Sequence, residues 1–399
     1  RAREAGLRDA MSQGAAVLNV QSHWLGWADQ ACDYAMSLRQ PDSWLFRLSH
    51  QSEHPTAIAS GTAVLMLQYL DRLGEVPLQD RRSWAGQLLE SLQGDGMCSD
   101  AADLAHPTQD QPGWALRAHR TRHIAWAIEA LGEKLQTPIE MAQACSEPGA
   151  IEDWLDRLLP AEGAKDIWGV GNWLMDLGVL LDLQYRHFGD TAARQALSQM
   201  LDGLAQRIDR ESGFWRCSSG NRRHEMAGAM HLYPLFWAYG RDVPAYREAV
   251  HQTLAIQQSD GLFGENAGEG GSQCLDFDAI LVLCNGHHLI SELRPQIEKA
   301  CLKVLAGIVV NRLESGAWSD ARFIHRARHW ATRACGYYTD TGSLWDTYAR
   351  LMTIGMCMQV LAPDTLGPVS AEHHLFEIWR GPWSWHEGVY NAALMSETP

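Results

Sequence analysis

Six stretches of the chain are apolar on nearly every helical face: residues 55–73, 119–131, 170–185, 225–239, 275–290 and 343–361. Runs such as Leu177-Gly178-Val179-Leu180-Leu181 and Ala279-Ile280-Leu281-Val282-Leu283 leave no polar side for water. A helix apolar all round is a buried helix. Between these stretches lie amphipathic segments, for example 80–92 and 294–313, which carry one apolar stripe and one polar face. Six buried helices alternating with half-polar ones predict an inner ring inside an outer ring, an all-α (α/α)6 toroid built from repeated helical hairpins. An open-ended helical solenoid is the alternative arrangement of the same hairpins.

A recurring turn supports the repeat. Glu211-Ser212-Gly213-Phe214-Trp215, Gln257-Gln258-Ser259-Asp260-Gly261-Leu262-Phe263 and Glu314-Ser315-Gly316-Ala317-Trp318 share a Ser/Asp-Gly step followed by an aromatic. Asp42-Ser43-Trp44, Gln93-Gly94-Asp95-Gly96 and Asp166-Ile167-Trp168-Gly169 are weaker copies. Gly213 and Gly261 stand 48 residues apart, and Gly261 and Gly316 stand 55 apart. A period near 50 residues marks a repeat architecture. Glycine makes the turn and the aromatic anchors it, so Trp168, Trp215 and Trp318 are read as turn anchors. These turns are expected on one end of the barrel. No linker divides the chain, so residues 1–399 read as a single toroid domain, with 1–20 as a peripheral N-terminal extension.

Composition narrows the function. The 399 residues carry a net charge of −15, which disfavours nucleic acid and anionic membrane surfaces. Local basic clusters, Arg117/Arg120/Arg122 and Arg322/Arg326/Arg328/Arg333, fit solvated helix faces or an anion site in a pocket. Nine scattered cysteines without a Cys-x-x-Cys pair argue against a disulfide framework or zinc ribbon and point to a reducing, cytoplasmic setting. No apolar run reaches transmembrane length, and no signal-peptide pattern is visible. Seventeen tryptophans are available for helix junctions and pocket walls. Phosphate-loop, dinucleotide-binding, zincin and serine-elbow motifs are all absent, so no cofactor is expected.

Polar residues gather at the starts of the predicted inner helices: His54; His119 and His123; Asn172 and Asp176; His224, Glu225 and His231; Asp276 and Asp278; Asp340, Ser343, Asp346 and Tyr348. Asp and Ser favour helix starts as caps. Capping does not account for Asp176, His231 or Asp346, which stand inside apolar helices. Tyr233, Trp173, Trp237 and Trp345 join His123, Asp176, His224, Glu225, Asp346 and Tyr348 as expected substrate contacts. The sharpest segment is Gly270-Gly271-Ser272-Gln273-Cys274-Leu275-Asp276-Phe277-Asp278-Ala279. Of its two carboxylates, Asp276 lies nearer the helix start and is better placed to cap. That leaves Asp278 for a cavity, where burial would keep it protonated for general-acid work.

The turn Gln257-x-x-Asp260-Gly261-x-Phe263 resembles the Gln-Trp repeats of terpenoid cyclases, and Asp276-Phe277-Asp278-Ala279 looks like their Asp-x-Asp-Asp acid motif with Ala279 at the last carboxylate. The resemblance implies an α/α toroid, a fold shared with protein prenyltransferases. It makes Asp278 the acid that protonates an alkene or epoxide, with Asp276 its neighbour; separately, His231 or another inner-ring group is expected within hydrogen-bonding reach of Asp278. The prenyltransferase relation adds a zinc option through Cys274, Asp276 and His231, although the Cys-x-Asp order is reversed. The expected function is therefore an isoprenoid cyclase or related acid-initiated isomerase acting on a small molecule. The alternatives are a carbohydrate-active (α/α)6 enzyme on an oligosaccharide, using paired carboxylates or a lyase cleft, and a non-catalytic toroid binding protein. An empty aromatic cavity would favour the first, an open polar groove the second, and a self-filled pocket the third.

Overall fold

The computed structural model describes residues 2–99 and 113–362. Thirteen α-helices account for most of them: α1 (Ala2–Ser37), α2 (Ala57–Tyr69), α3 (Leu78–Glu90), α4 (Gly113–Ala130), α5 (Glu140–Cys145), α6 (Ala150–Leu158), α7 (Ile167–Phe188), α8 (Thr191–Arg207), α9 (Arg222–Ala238), α10 (Tyr246–Ala255), α11 (Gln273–Leu289), α12 (Arg294–Ile308) and α13 (Leu344–Leu361). The only strands among the described residues are β1 (Ala327–Trp330) and β2 (Thr332–Tyr338), an antiparallel hairpin inserted between α12 and α13.

The six fully apolar stretches form the inner ring α2, α4, α7, α9, α11 and α13. Each inner helix packs on the next, and α13 packs back on α2. The amide of Leu344 donates to the carbonyl of Leu48 at 2.8 Å, and the Tyr34 hydroxyl donates to Gly342 at 2.8 Å, tying the last hairpin to the first. The ring is thus a closed (α/α)6 toroid rather than an open solenoid. The outer ring is α1, α3, the pair α5/α6, α8, α10 and α12, each leaning on the inner helices beside it. α1 is one continuous helix that buries its apolar side from Val20 onward, and its first turns run through the segment expected to be a peripheral extension. Arg1 lies outside the described residues.

The turn repeat has a physical basis. Every copy connects an outer helix to the next inner helix, which places all of them on one end of the barrel. After each of five turns, one backbone N–H is taken by a polar side chain on the following inner helix. Phe46 N donates to Ser60, Cys98 N to Thr121, Cys217 N to Glu225, Phe263 N to Asp276, and Trp318 N to Thr347, at 2.6–3.1 Å. A buried amide without a partner costs about 1–3 kcal/mol, so these side chains are required by the turns. Aromatics then seal the junctions. Trp215 is buried and donates Nε1–H to Leu204 O at 3.1 Å. Trp318 is buried edge-on against Trp27 at 5.5 Å.

Packing between inner helices is tightest where glycine allows it. A Cβ on Gly171 of α7 would strike the backbone of Gly228, and one on Gly228 would strike the Ile167 carbonyl of α7. The two helices therefore meet backbone to backbone.

Candidate active site

Inside the ring, beneath the β hairpin, lies a cavity of about 380 Å³. Its walls come from Leu65 of α2, the length of α4 from Leu116 to Trp126, the N-terminal halves of α7, α11 and α13, the middle of α9 and the tip of the hairpin. Trp126, Trp168, Phe277, Trp330, Trp345 and Tyr348 supply the aromatic surface, with Leu65, Leu116, Met175, Met230, Leu281 and Met352 between them. Trp330 of β1 stacks flat on Trp345 of α13, with centroids 4.6 Å apart and planes 10° apart, so the hairpin closes the aromatic wall.

Asp278 projects from α11 into this cavity. It is 2 % exposed, and among the described residues its Oδ2 has no hydrogen-bond partner and no basic side chain pairs with it. Burial pushes its carboxyl well above the usual carboxylate range, and the neighbouring Asp276 pushes it further. No hydrogen bond joins it to His231, so the expected direct partnership is absent. His231 lines the same cavity from α9, adjacent to α11 in the ring. Its Nδ1 lies 2.6 Å from the Ala227 carbonyl and must donate there, which leaves Nε2 unprotonated. Burial lowers its pKa to about 4, so the imidazole is neutral.

Across the ring from α11, α4 presents a polar cluster. Arg122 Nε lies 2.5 Å from Asp176 Oδ1 of α7, and its Nη2 donates to His119 Nδ1 at 3.1 Å. Its guanidinium lies 4.7 Å over the Trp126 ring. His123 is 3 % exposed, has no partner on either ring nitrogen among the described residues, and is edged by Trp330, Trp345, Trp126 and His119. Burial, with Arg122 and His119 adding, pulls its pKa well below the usual value. At the hairpin, Arg328 is ion-paired with Asp320, which also accepts from the Gln273 amide at 2.8 Å. The arginine clusters thus divide. Arg122 and Arg328 reach the cavity already paired, Arg117 binds Asp95 at 2.8 Å in a turn, and the Arg333 side chain lies outside the described residues.

Several expected site residues serve the scaffold instead. Asp276 is fully buried away from the cavity lining. It accepts from Phe263 N at 2.6 Å and Ser272 N at 3.1 Å, and it pairs with the buried Arg350 at 2.5 Å. Glu225 pairs with Arg222 at 2.7 Å while receiving the Cys217 amide. Tyr233 donates its hydroxyl to Gly213 O at 2.6 Å, and Trp237 packs edge-on against Tyr246 of the outer helix α10. Trp173 turns outward to Trp114 at 5.9 Å. His224 sits outside the lining against Trp168 and pairs with Glu265 at 3.2 Å. Asp176 stands behind Arg122. Asp346 accepts from Tyr337 at 3.1 Å and Ser343 at 2.8 Å, and burial beside Asp320 pushes its carboxyl up to about 7. Of the expected contacts, His123, His231, Asp278, Trp345 and Tyr348 line the cavity.

Trp168 also lines the cavity, rather than only anchoring a turn. Sequence reasoning passed over Trp330 altogether, because nothing in the 327–338 segment signalled a hairpin strongly enough to place it. The zinc option does not assemble. Cys274 and His231 line the cavity while Asp276 is committed to Arg350, and among the described residues no three His, Cys, Asp or Glu side chains converge on a metal position. No described helix is long and apolar enough to cross a membrane, and all nine cysteines are free thiols.

No protein-family model matches the chain, and no curated protein matches it. Several solved structures align with the chain at low identity. The type II terpene cyclase MstE from Scytonema, with geranylgeranyl dihydroxybenzoate bound to a variant, aligns at 12% identity and TM-score 0.47 over 86% of this chain and 99% of that one. The apo form aligns at 12% identity and TM-score 0.46, over 86% and 98%. The polysaccharide lyase BACCELL_00875 aligns at 13% identity and TM-score 0.44, over 85% and 97%.

Proposed function

We propose that this protein is an acid-initiated cyclase of isoprenoid-type alkenes, with Asp278 as the acid. One observation carries the reading: a buried carboxyl with no basic partner faces an aromatic-walled cavity. A raised pKa does not make the acid stronger. It keeps the proton in place at neutral pH until an alkene arrives.

The chemistry follows from the walls. The Asp278 O–H proton adds to one alkene carbon, the π pair becomes the new C–H bond, and the O–H pair stays on the carboxylate. The other carbon becomes cationic and is attacked by a second alkene of the same chain, closing a ring. Trp126, Trp168, Trp330, Trp345 and Tyr348 offer π faces that attract the travelling cation. His231 Nε2 is the base that takes the final proton, and exchange with solvent returns a proton to Asp278. The net change is an isomerisation with no redox step.

The paired-carboxylate alternative lacks a second free acid. Asp166, the other lining carboxylate, caps α7 by accepting from Gly169 N at 3.0 Å. The cavity is not filled by its own side chains, which separates it from a scaffold. The test is incubation with linear prenyl alcohols and polyenes in deuterated water. Cyclic isomers carrying one solvent deuterium, lost in Asp278→Asn, are the expected result. Deuterium-free products, or products unaffected by Asp278→Asn, would overturn the proposal.

A further inference from the structure

We infer that the substrate carries an uncharged oxygen function, best a hydroxyl, at the end remote from the alkene that Asp278 protonates, and that His123 receives it. This rests on the cyclase reading above and adds the class of substrate.

The ring order places the two groups. Going round α2, α4, α7, α9, α11 and α13, the helices α4 and α11 stand three places apart and face each other across the cavity. Asp278 belongs to α11 and His123 to α4. A chain lying across the cavity therefore meets the acid at one end and His123 at the other.

His123 is the anomaly that points to a ligand. Buried polar atoms nearly always have partners, yet both nitrogens of this ring, at 3 % exposure, have none. The ring cannot swing away to find one. It is boxed by His119 at 4.7 Å, Trp330 at 5.2 Å, Trp345 at 5.5 Å and Trp126 at 5.7 Å. The partner must enter through the cavity that His123 lines. A neutral imidazole offers one donor and one acceptor, and a hydroxyl can serve either nitrogen whatever the tautomer. A hydrocarbon covering the ring would displace water and strand both nitrogens.

Charge excludes a diphosphate at this end. Arg122 is taken by Asp176 and His119, and Arg328 by Asp320. The two arginines among the described lining residues bring their own carboxylates, so they present no net positive charge to a polyanion.

The experiment compares three probes of one chain length on the whole protein: farnesol, farnesyl diphosphate and farnesene. Binding is read by quenching of tryptophan fluorescence at neutral pH, in wild type and in Asp278→Asn to prevent turnover. Farnesol should bind about tenfold or more tighter than farnesene, the scale of one buried polar atom left unpaired, and also tighter than the diphosphate. His123→Leu should erase the alcohol preference, chiefly by tightening farnesene, because no imidazole is left to strand, and His123→Asn should keep part of it. Equal affinity for alcohol and hydrocarbon, tighter binding of the diphosphate, or a preference that survives His123→Leu would overturn the inference. If His123→Leu does not fold, the wild-type ranking alone decides. Solvent-deuterium cyclisation without an alcohol preference would sink this inference alone, whereas failure to bind any of the three would sink the cyclase reading with it.

Discussion

Arg350→Met removes the one fully buried cation that neutralises Asp276. Arg350 has no exposed surface and spends its guanidinium on Asp276, on Ser319 O at 3.3 Å, on Gly270 O at 3.1 Å and on Asp320 O. Methionine matches the length and leaves Asp276 with only the Phe263 and Ser272 amides. Breaking a buried ion pair from one side costs about 3–5 kcal/mol. A chain of 399 residues has an unfolding entropy near 0.8 kcal/mol per kelvin, so the melting temperature should fall by about 4–6 °C. The loss should deepen with pH. Burial already holds the Asp276 carboxyl above its ordinary value with Arg350 in place; with Arg350 gone it rises further, so the folded variant keeps the proton over a wider pH range and loses more stability than wild type as pH climbs from the unfolded pKa to the folded one. Thermal melts by circular dichroism at pH 5 and pH 8 would therefore show the larger deficit at pH 8. Asp276→Asn added to Arg350→Met should recover part of the loss, since Asn still accepts an amide and carries no charge. A single variant melting within 1 °C of wild type, or strictly additive losses in the double variant, would refute the charge-pair argument.

Trp215→Ala should cost about 3–5 kcal/mol, because the ring is buried against Tyr233 and Phe236 and its N–H closes on Leu204; an unchanged melt would show that the turn aromatics do not anchor the repeat. Asp278→Asn should flatten the pH dependence of stability. The raised pKa of Asp278 makes wild type lose stability as pH rises from the unfolded carboxyl pKa toward the folded one. The variant's melting temperature relative to wild type should therefore climb from pH 5 to pH 7.5, and parallel curves would count against a protonated Asp278.

The ring architecture was legible because a buried helix must be apolar all round, and six such stretches recur at a steady spacing. That same property hid the site. A helix without a polar face does not show in its sequence which side meets the cavity, so Asp278 and Asp276, or Trp168 and Trp173, could be separated only by where their neighbours lie. Asp276 yielded partly to reasoning, since its nearness to the helix start favoured backbone amides. Glu225 and Tyr233 were taken for site groups because the need to satisfy the turn amide of Cys217 and the carbonyl of Gly213 arises only after folding. The hairpin carrying Arg328 and Trp330 was missed because short, arginine-rich strands bounded by a positive-φ Ala331 lack the usual turn residues. His123 was visible as a candidate, but its lack of any partner is a property of the packed cavity alone.

The central claim is that Asp278 is a neutral acid in the resting protein. The infrared difference spectrum between wild type and Asp278→Asn at neutral pH reports this directly, in the protein alone and without a substrate. A protonated-carboxyl C=O band present in wild type and absent from the variant is the expected result. Carboxylate bands in its place would contradict it.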